Sequence, residues 1–143
     1  MKNRLVLFLW VFSLSFIMAG PLHAQNENAA RKLMDKAAIA FETQNYEQSI
    51  QLLQSSIQKD TSLIDAYISL FQVYAKLKQT QNAISVFEKA LQKDSSKCVP
   101  YILKYATSLA TAGDYEKAFN ILNAFANKTP TYQQQNVKDL FAI

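Results

Sequence analysis

The feature that most constrains this chain is a segment that recurs along it at a nearly constant spacing. Residues 50–60 (IQLLQSSIQKD) and 84–94 (ISVFEKALQKD) align without gaps and both end in Gln-Lys-Asp, at an offset of 34 residues. A third copy at 112–130 (AGDYEKAFNILNAFANKTP) follows at an offset of 35 residues. A repeat of this size is typical of solenoids, in which each unit buries its apolar face against the next.

Each copy also has the residue pattern of helices. Two glycines and three prolines among 143 residues are too few for a turn-rich β-protein. Apolar residues such as Tyr67, Leu70 and Tyr74 recur at spacings of three and four, which places them on one buried helix face. With breaks at Gly113 and Pro130, this pattern predicts helices near 28–42, 46–59, 62–77, 80–93, 98–111, 115–127 and 132–142.

Particular positions of the repeat match one known family. In the second copy these positions are Tyr67, Leu70, Tyr74, Ala83, Phe87 and Ala90. The third copy has Gly-Asp-Tyr at its turn, residues 113–115, and closes on Pro130. At these residues the chain resembles the tetratricopeptide repeat, a family in which each repeat is a pair of antiparallel helices. The resemblance covers about residues 29–132.

The resemblance implies an all-α fold, an α-solenoid of about three helical hairpins. The repeats would span about 30–63, 64–98 and 99–132, and a partial or capping helix would follow at 133–143. Such a helix, with a polar outer surface, would cover the open end of the stack.

Several residues depart from the family pattern, among them Thr61 and Ser95, which replace the closing proline in the first two copies. Phe71 and Phe125 stand at positions where the family prefers small residues. Ser49 and Ser56 occupy the places that Ala83 and Ala90 hold in the second copy, where small side chains let the two helices of a hairpin approach closely. The departures leave the details of packing open.

The first 24 residues have the layout of a secretory signal peptide. Its parts are the cations Lys2 and Arg4, an apolar run at 5–18, the helix break Gly20-Pro21 and a small-residue cleavage site ending at Ala24. An uncleaved membrane anchor is the alternative, although the apolar run is short of the roughly 20 residues that a span needs. We therefore expect an exported domain at 25–143, periplasmic or associated with the outer membrane of a bacterium.

Residue usage argues against catalysis, cofactors and metal sites. Cleavage would remove the single histidine, His23, and leave Gly113 as the remaining glycine, which excludes histidine-based triads and glycine-rich phosphate loops. Cys98 is alone, so neither an internal disulfide nor a zinc site with paired cysteines can form. It is expected to be a small buried hydrophobe, with a reactive or intermolecular thiol as the alternative. Loss of Lys2 and Arg4 lowers the net charge from +4 to +2, too little to suggest nucleic-acid binding.

A binding surface is the remaining expectation, and its location comes from the resemblance. In the family, partners usually bind the concave face of a right-handed superhelix, which is lined by the first helix of each repeat. Here that face would comprise Met34, Ala38, Phe41, Asp65, Ile68, Gln72, Lys76, Leu103, Thr107 and Thr111. Met34 and Ala38 stand where a chaperone-binding subclass has Lys and Asn, so that function is not expected. An extended or helical peptide held by apolar contacts and glutamine hydrogen bonds fits better.

The expected partner is another envelope protein, and no small-molecule substrate is expected. A structural or assembly role, with possible self-association, is the alternative. The order of the segments and the apolar face of Val137, Leu140 and Phe141 also resemble the N-terminal part of envelope proteins typical of the Bacteroidetes. In those proteins such repeats precede a β-propeller and an OmpA-like peptidoglycan-binding domain, so the chain could equally be the front of such a protein.

Overall fold

Between residues 19 and 126, six helices are arranged as three consecutive hairpins. The computed structural model describes residues 19–126, with side chains described from Ala24 onward. The helices are α1 (Ala19–Glu42), α2 (Tyr46–Lys59), α3 (Ile64–Lys76), α4 (Thr80–Lys93), α5 (Ile102–Thr111) and α6 (Tyr115–Phe125). A helical turn at Ser95–Cys98 and a 3-10 turn at Val99–Tyr101 lead into α5. The all-α solenoid is confirmed, while the helix predicted at 132–142 lies outside the described residues.

Two predicted helix boundaries differ from the structure, and a proline lies near both. Helix α1 was expected from residue 28, yet the chain is already helical at Gly20 and Pro21, where a break was expected. The helix expected from residue 98 instead starts as α5 at Ile102, after the 3-10 turn that contains Pro100. Among the helices of residues 19–126, none has the length and apolar character required to cross a membrane.

All three hairpins turn in the same way. The second residue after the first helix has a left-handed backbone in each, with φ of 61° at Gln44, 57° at Lys78 and 87° at Gly113. The next N–H then donates back across the turn, from Asn45 to the Ala40 carbonyl (2.8 Å), from Gln79 to Tyr74 (2.9 Å) and from Asp114 to Leu109 (3.0 Å). These bonds define the Schellman motif, which satisfies carbonyls that the helix end leaves unpaired. The repeat period is therefore also a period of backbone conformation.

The residue that completes the turn also begins the second helix. The Asn45 side chain accepts a hydrogen bond from the Gln48 N–H at 3.3 Å, and Asp114 accepts one from the Lys117 N–H at 3.1 Å. Asn and Asp are preferred at this position because they satisfy a backbone donor of the first helical turn. Gln79 holds the same place in the second hairpin without a side-chain cap.

Small residues bring the helices of each hairpin together, as predicted. Ala83 and Ala90 on α4 are completely buried. In the first hairpin, Ser49 and Ser56 are equally buried, and their hydroxyls donate to α1 carbonyls, those of Ala37 (2.9 Å) and Ala30 (2.8 Å). The serines therefore act as small residues that also bond the neighbouring backbone.

An aromatic stack joins the second and third hairpins. Phe71 of α3 lies 4.5 Å from Phe87 of α4, centroid to centroid, and Phe87 lies 4.7 Å from Tyr105 of α5. All three rings are essentially without solvent exposure. The Tyr105 hydroxyl donates to Glu88 at 3.2 Å, and the Lys117 ammonium pairs with the same carboxylate. Phe71, unusual for the family, thus fills the core at one end of the stack, with Phe87 at its centre.

A candidate peptide-binding groove

A groove of about 300 Å³ opens between the first helices of the first two hairpins. Helix α1 forms one wall, α3 forms the other, and α2 contributes the base. The lining residues are Met34, Asp35, Ala37, Ala38, Phe41 and Glu42 of α1, Ser49 and Leu53 of α2, and Ser69, Gln72 and Val73 of α3. We call this site the α1–α3 groove.

The structure brings four of the predicted binding residues together in this groove. Met34, Ala38 and Phe41 follow one another at spacings of four and three along α1, so they share one face of that helix. Gln72 stands opposite on α3. Phe41 is held by an edge-on contact with the Tyr46 ring at 5.4 Å between centroids. The groove therefore has an apolar wall facing an amide that can both donate and accept hydrogen bonds.

The α3 residues predicted for the same surface behave differently from Gln72. Ile68, predicted as a contact residue, is 5% exposed and belongs to the hydrophobic core, so little of its side chain is available to a partner. Asp65 lies 4.0 Å from the Lys97 ammonium as an exposed ion pair. Lys76 is exposed but does not line the groove.

The predicted residues of α5 also lie outside the groove. Leu103 is half-buried and packs against the core, while Thr107 and Thr111 are exposed. Both threonine hydroxyls donate to carbonyls of their own helix, at 3.0 Å and 2.8 Å. The surface expected to run along all three first helices is thus concentrated between α1 and α3.

Sequence reasoning missed the charged rim of the groove. Asp35 and Glu42 are exposed on α1 and line its opening, and Ser69 lines the α3 side. The signal was available, because Asp35 and Glu42 are seven residues apart, two helical turns, with Ala38 between them on the same face. The lining contains no lysine or arginine. Among residues 24–126, the ion pairs involve neither of these two carboxylates.

A second groove of about 320 Å³ lies on the side of the second helices. Its walls include Gln54 and Gln58 of α2 and Ser85 and Lys89 of α4, and the Gln54 amide donates to the Tyr74 hydroxyl at 3.2 Å. This surface is mainly polar at its rim and carries a cation where the α1–α3 groove carries carboxylates. It provides a matched location for control substitutions.

Cys98 is buried, as the first interpretation of the sequence expected. Its side chain has no solvent exposure, and its thiol contacts the Asp94 carbonyl at 3.4 Å. Burial, with a smaller contribution from the Asp94 charge, raises the pKa of the Cys98 thiol to about 11. A thiol with such a pKa is protonated at neutral pH and is a poor nucleophile.

Comparison with known structures supports this fold. The N-terminal domain of stress-induced protein-1 from C. elegans superimposes with a TM-score of 0.73 at 18% identity, covering 80% of this chain and 96% of that one. The Arabidopsis OM64 TPR domain gives a TM-score of 0.63 at 17% identity, covering 69% and 81% of the two chains. At such identities the likeness concerns the fold alone.

Sequence comparison finds the same class. Superkiller protein 3 of Saccharomyces cerevisiae is 29% identical over 91 residues, which cover 64% of this chain but 6% of that protein's length. The family model described as "Tetratricopeptide repeat protein 21 ARM repeat" matches residues 17–139. The family is generally one of non-catalytic protein–protein interaction modules. With its repeat period, hairpin geometry and family match in agreement, the chain belongs to this tetratricopeptide-type helical repeat family.

Proposed function

We propose that the protein is an exported interaction module that holds an extended peptide of another envelope protein in the α1–α3 groove. The observation that carries this proposal is the groove itself, with Met34, Ala38 and Phe41 on one wall and Gln72 on the other. Its volume is at the low end of the range for ligand clefts, about 300–1,000 Å³. It can accept a few side chains of an extended segment, whereas a whole helix is about 10–12 Å across.

The proposed location rests on residues 1–24. Their order of cations, apolar run and small-residue site is that of a secretory signal peptide. An exported repeat module would meet its partners in the periplasm or at the outer membrane. If the reading frame continues into a peptidoglycan-binding domain, the module would be anchored to the cell wall, and sequencing beyond the codon of Ile143 would test that anchoring.

Selection of ligands from a random peptide library displayed on phage tests the binding site. The full chain is immobilised, and enriched peptides are measured against two variants by fluorescence anisotropy. Ala38→Trp would fill the groove and lower their affinity at least tenfold. Ser85→Trp, in the second groove, would leave the affinity unchanged. Equal binding to the Ala38→Trp variant and the unmodified chain would refute the proposed site.

Self-association is a second candidate, favoured by apolar residues at the two ends of the described stack. Ile39 on α1 is 66% exposed and Tyr115 on α6 is 69% exposed. Apolar groups on opposite ends could pair head to tail between copies. Sedimentation equilibrium would then show mass increasing with concentration, and Ile39→Lys or Tyr115→Lys would abolish the increase. A constant monomer mass would exclude this role.

A further inference from the structure

We propose that the α1–α3 groove selects basic segments, namely an extended peptide with one Lys or Arg on each side of an apolar residue. This inference rests on the proposed function and specifies the partner's chemistry. Its basis is the arrangement of Asp35 and Glu42 around the apolar wall that includes Ala38.

Charge complementarity is the first argument. Asp35 and Glu42 place two carboxylates at the opening, and no cation belongs to the groove lining. The charged side chains of the lining itself are therefore both negative. An acidic peptide would be repelled, and a basic one attracted.

Spacing is the second argument. Seven residues of α-helix separate Asp35 from Glu42, a rise of about 10.5 Å along α1. In a polyproline II segment, residues i and i+3 lie on the same side about 9.3 Å apart. A peptide running parallel to α1 can thus place a cation near each carboxylate when it has the pattern basic-x-x-basic.

The residues between the two cations would meet the interior of the groove. An apolar side chain there would enter between Met34 and Phe41, both of which are half-buried and can lose further solvent contact. Gln72 and Ser69 on α3 carry the polar groups that a peptide backbone needs as hydrogen-bond partners. The apolar contact provides affinity, and the carboxylates provide selection by charge.

The experiment measures three fluorescein-labelled probes against the full chain by anisotropy at low salt. The basic probe is Gly-Lys-Pro-Leu-Lys-Gly. The second replaces both lysines with glutamate, and the third replaces leucine with serine. We expect the basic probe to bind more tightly than the acidic one by at least tenfold. Substitution of the leucine should weaken binding of the basic probe as well.

Matched variants locate the effect. Asp35→Asn with Glu42→Gln should lower affinity for the basic probe about three- to tenfold, as expected for two exposed ion pairs. Glu47→Gln with Glu116→Gln changes the net charge equally at exposed positions outside the groove lining, and should have no effect. The difference between the two variants should shrink toward 1 M salt, where the screening length is about 3 Å.

Failure of this inference is distinguishable from failure of the proposed function. Equal loss of affinity in both double variants, or tighter binding of the acidic probe, would overturn the basic selectivity. Phage-selected peptides that lack basic residues, and whose binding is weakened by Ala38→Trp, would also overturn the basic selectivity. In that case the groove would still be the binding site. Insensitivity of every ligand to Ala38→Trp would overturn both.

Discussion

Two buried hydroxyls distinguish the first hairpin from the second at the level of single residues. The Ser49 and Ser56 hydroxyls donate to carbonyls of α1 that lie in the interior of that helix. Removing a hydroxyl leaves no orphaned group, because each carbonyl is positioned to accept its intrahelical bond as well. The net loss is therefore that of one hydrogen bond, about 0.5–1.5 kcal/mol, partly offset by the better helix propensity of alanine.

We accordingly expect Ser49→Ala and Ser56→Ala each to lower the free energy of unfolding by less than about 1.5 kcal/mol in urea titrations. Ser55→Ala is the control, because the Ser55 hydroxyl bonds Gln51 within α2 and makes no bond to α1. Ser56→Val should cost more, about 1–3 kcal/mol, since the close approach of α1 leaves no room for extra methyl groups. An unchanged free energy of unfolding in the Ser56→Val variant would contradict the close packing of α1 against α2.

The Cys98 thiol gives a pH-dependent prediction at the same scale. Its pKa is raised to about 11 in the folded protein, whereas an unperturbed thiol ionises at about 8.5. The unfolded chain therefore loses the proton first. Stability from this group is fully present below about pH 8.5 and falls as the pH rises toward 11.

Alkylation with iodoacetamide measures the thiol directly. In the folded protein the rate should stay low until the pH approaches 11, while in urea it should rise around pH 8.5. The Tyr67 and Tyr105 hydroxyls also have pKa values raised, mainly by burial. The stability difference between the unmodified chain and Cys98→Ala separates the thiol from these tyrosines. Fast alkylation at pH 7.5 would show that Cys98 is accessible.

At the scale of an element, the left-handed residue in the turn of each hairpin affects the stability of the fold. Lys78 has the left-handed conformation that costs a residue with a Cβ about 1–2 kcal/mol, and Gly113 occupies the equivalent place without that cost. A Cβ built on Gly113 meets nothing within 4 Å, so the penalty of a substitution there is conformational.

Lys78→Gly should therefore raise the free energy of unfolding by about 0.5–1 kcal/mol, once the larger entropy of glycine in the unfolded chain is subtracted. Gly113→Ala should lower it by about 1 kcal/mol. Ala112→Gly is the control, because Ala112 has φ of −78° and gains nothing from glycine. Its expected effect is a loss of about 0.5–1 kcal/mol. If Lys78→Gly and Ala112→Gly stabilised the protein to the same extent, the conformational explanation would be contradicted.

The sequence predicted the features of the helices that depend on local pattern, and it did not predict those that depend on packing against other helices. The spacing of Ala83 and Ala90 predicted where two helices meet, because such contact depends on side-chain size along one helix. The burial of Ile68 was not foreseen, since its helix face also depends on the elements that flank it. The rim residues Asp35 and Glu42 were visible as charges, but their place at a groove required the position of α3.

At the scale of the whole molecule, the fold accommodates the proposed cleavage after Ala24. Described side chains begin at Ala24, and the first of them that is buried is Ala30, whose carbonyl also accepts the Ser56 hydroxyl. A chain that begins at Gln25 keeps this contact, the burial of Ala37 and the whole groove wall. Loss of the leader should therefore leave the core of the domain intact.

The chain beginning at Gln25 should unfold in urea within about 0.5 kcal/mol of the full chain, because it keeps the buried contacts of Ala30 and Ala37. A chain beginning at Asp35 is the control. It lacks Ala30 and more than half of α1, and its stability should fall by several kcal/mol as the first hairpin loses its packing. Intact mass of the protein recovered from the periplasm completes the test. A mass that includes residues 1–24 would contradict cleavage, whereas marked destabilisation of the Gln25 chain would place the start of the core upstream of Ala30.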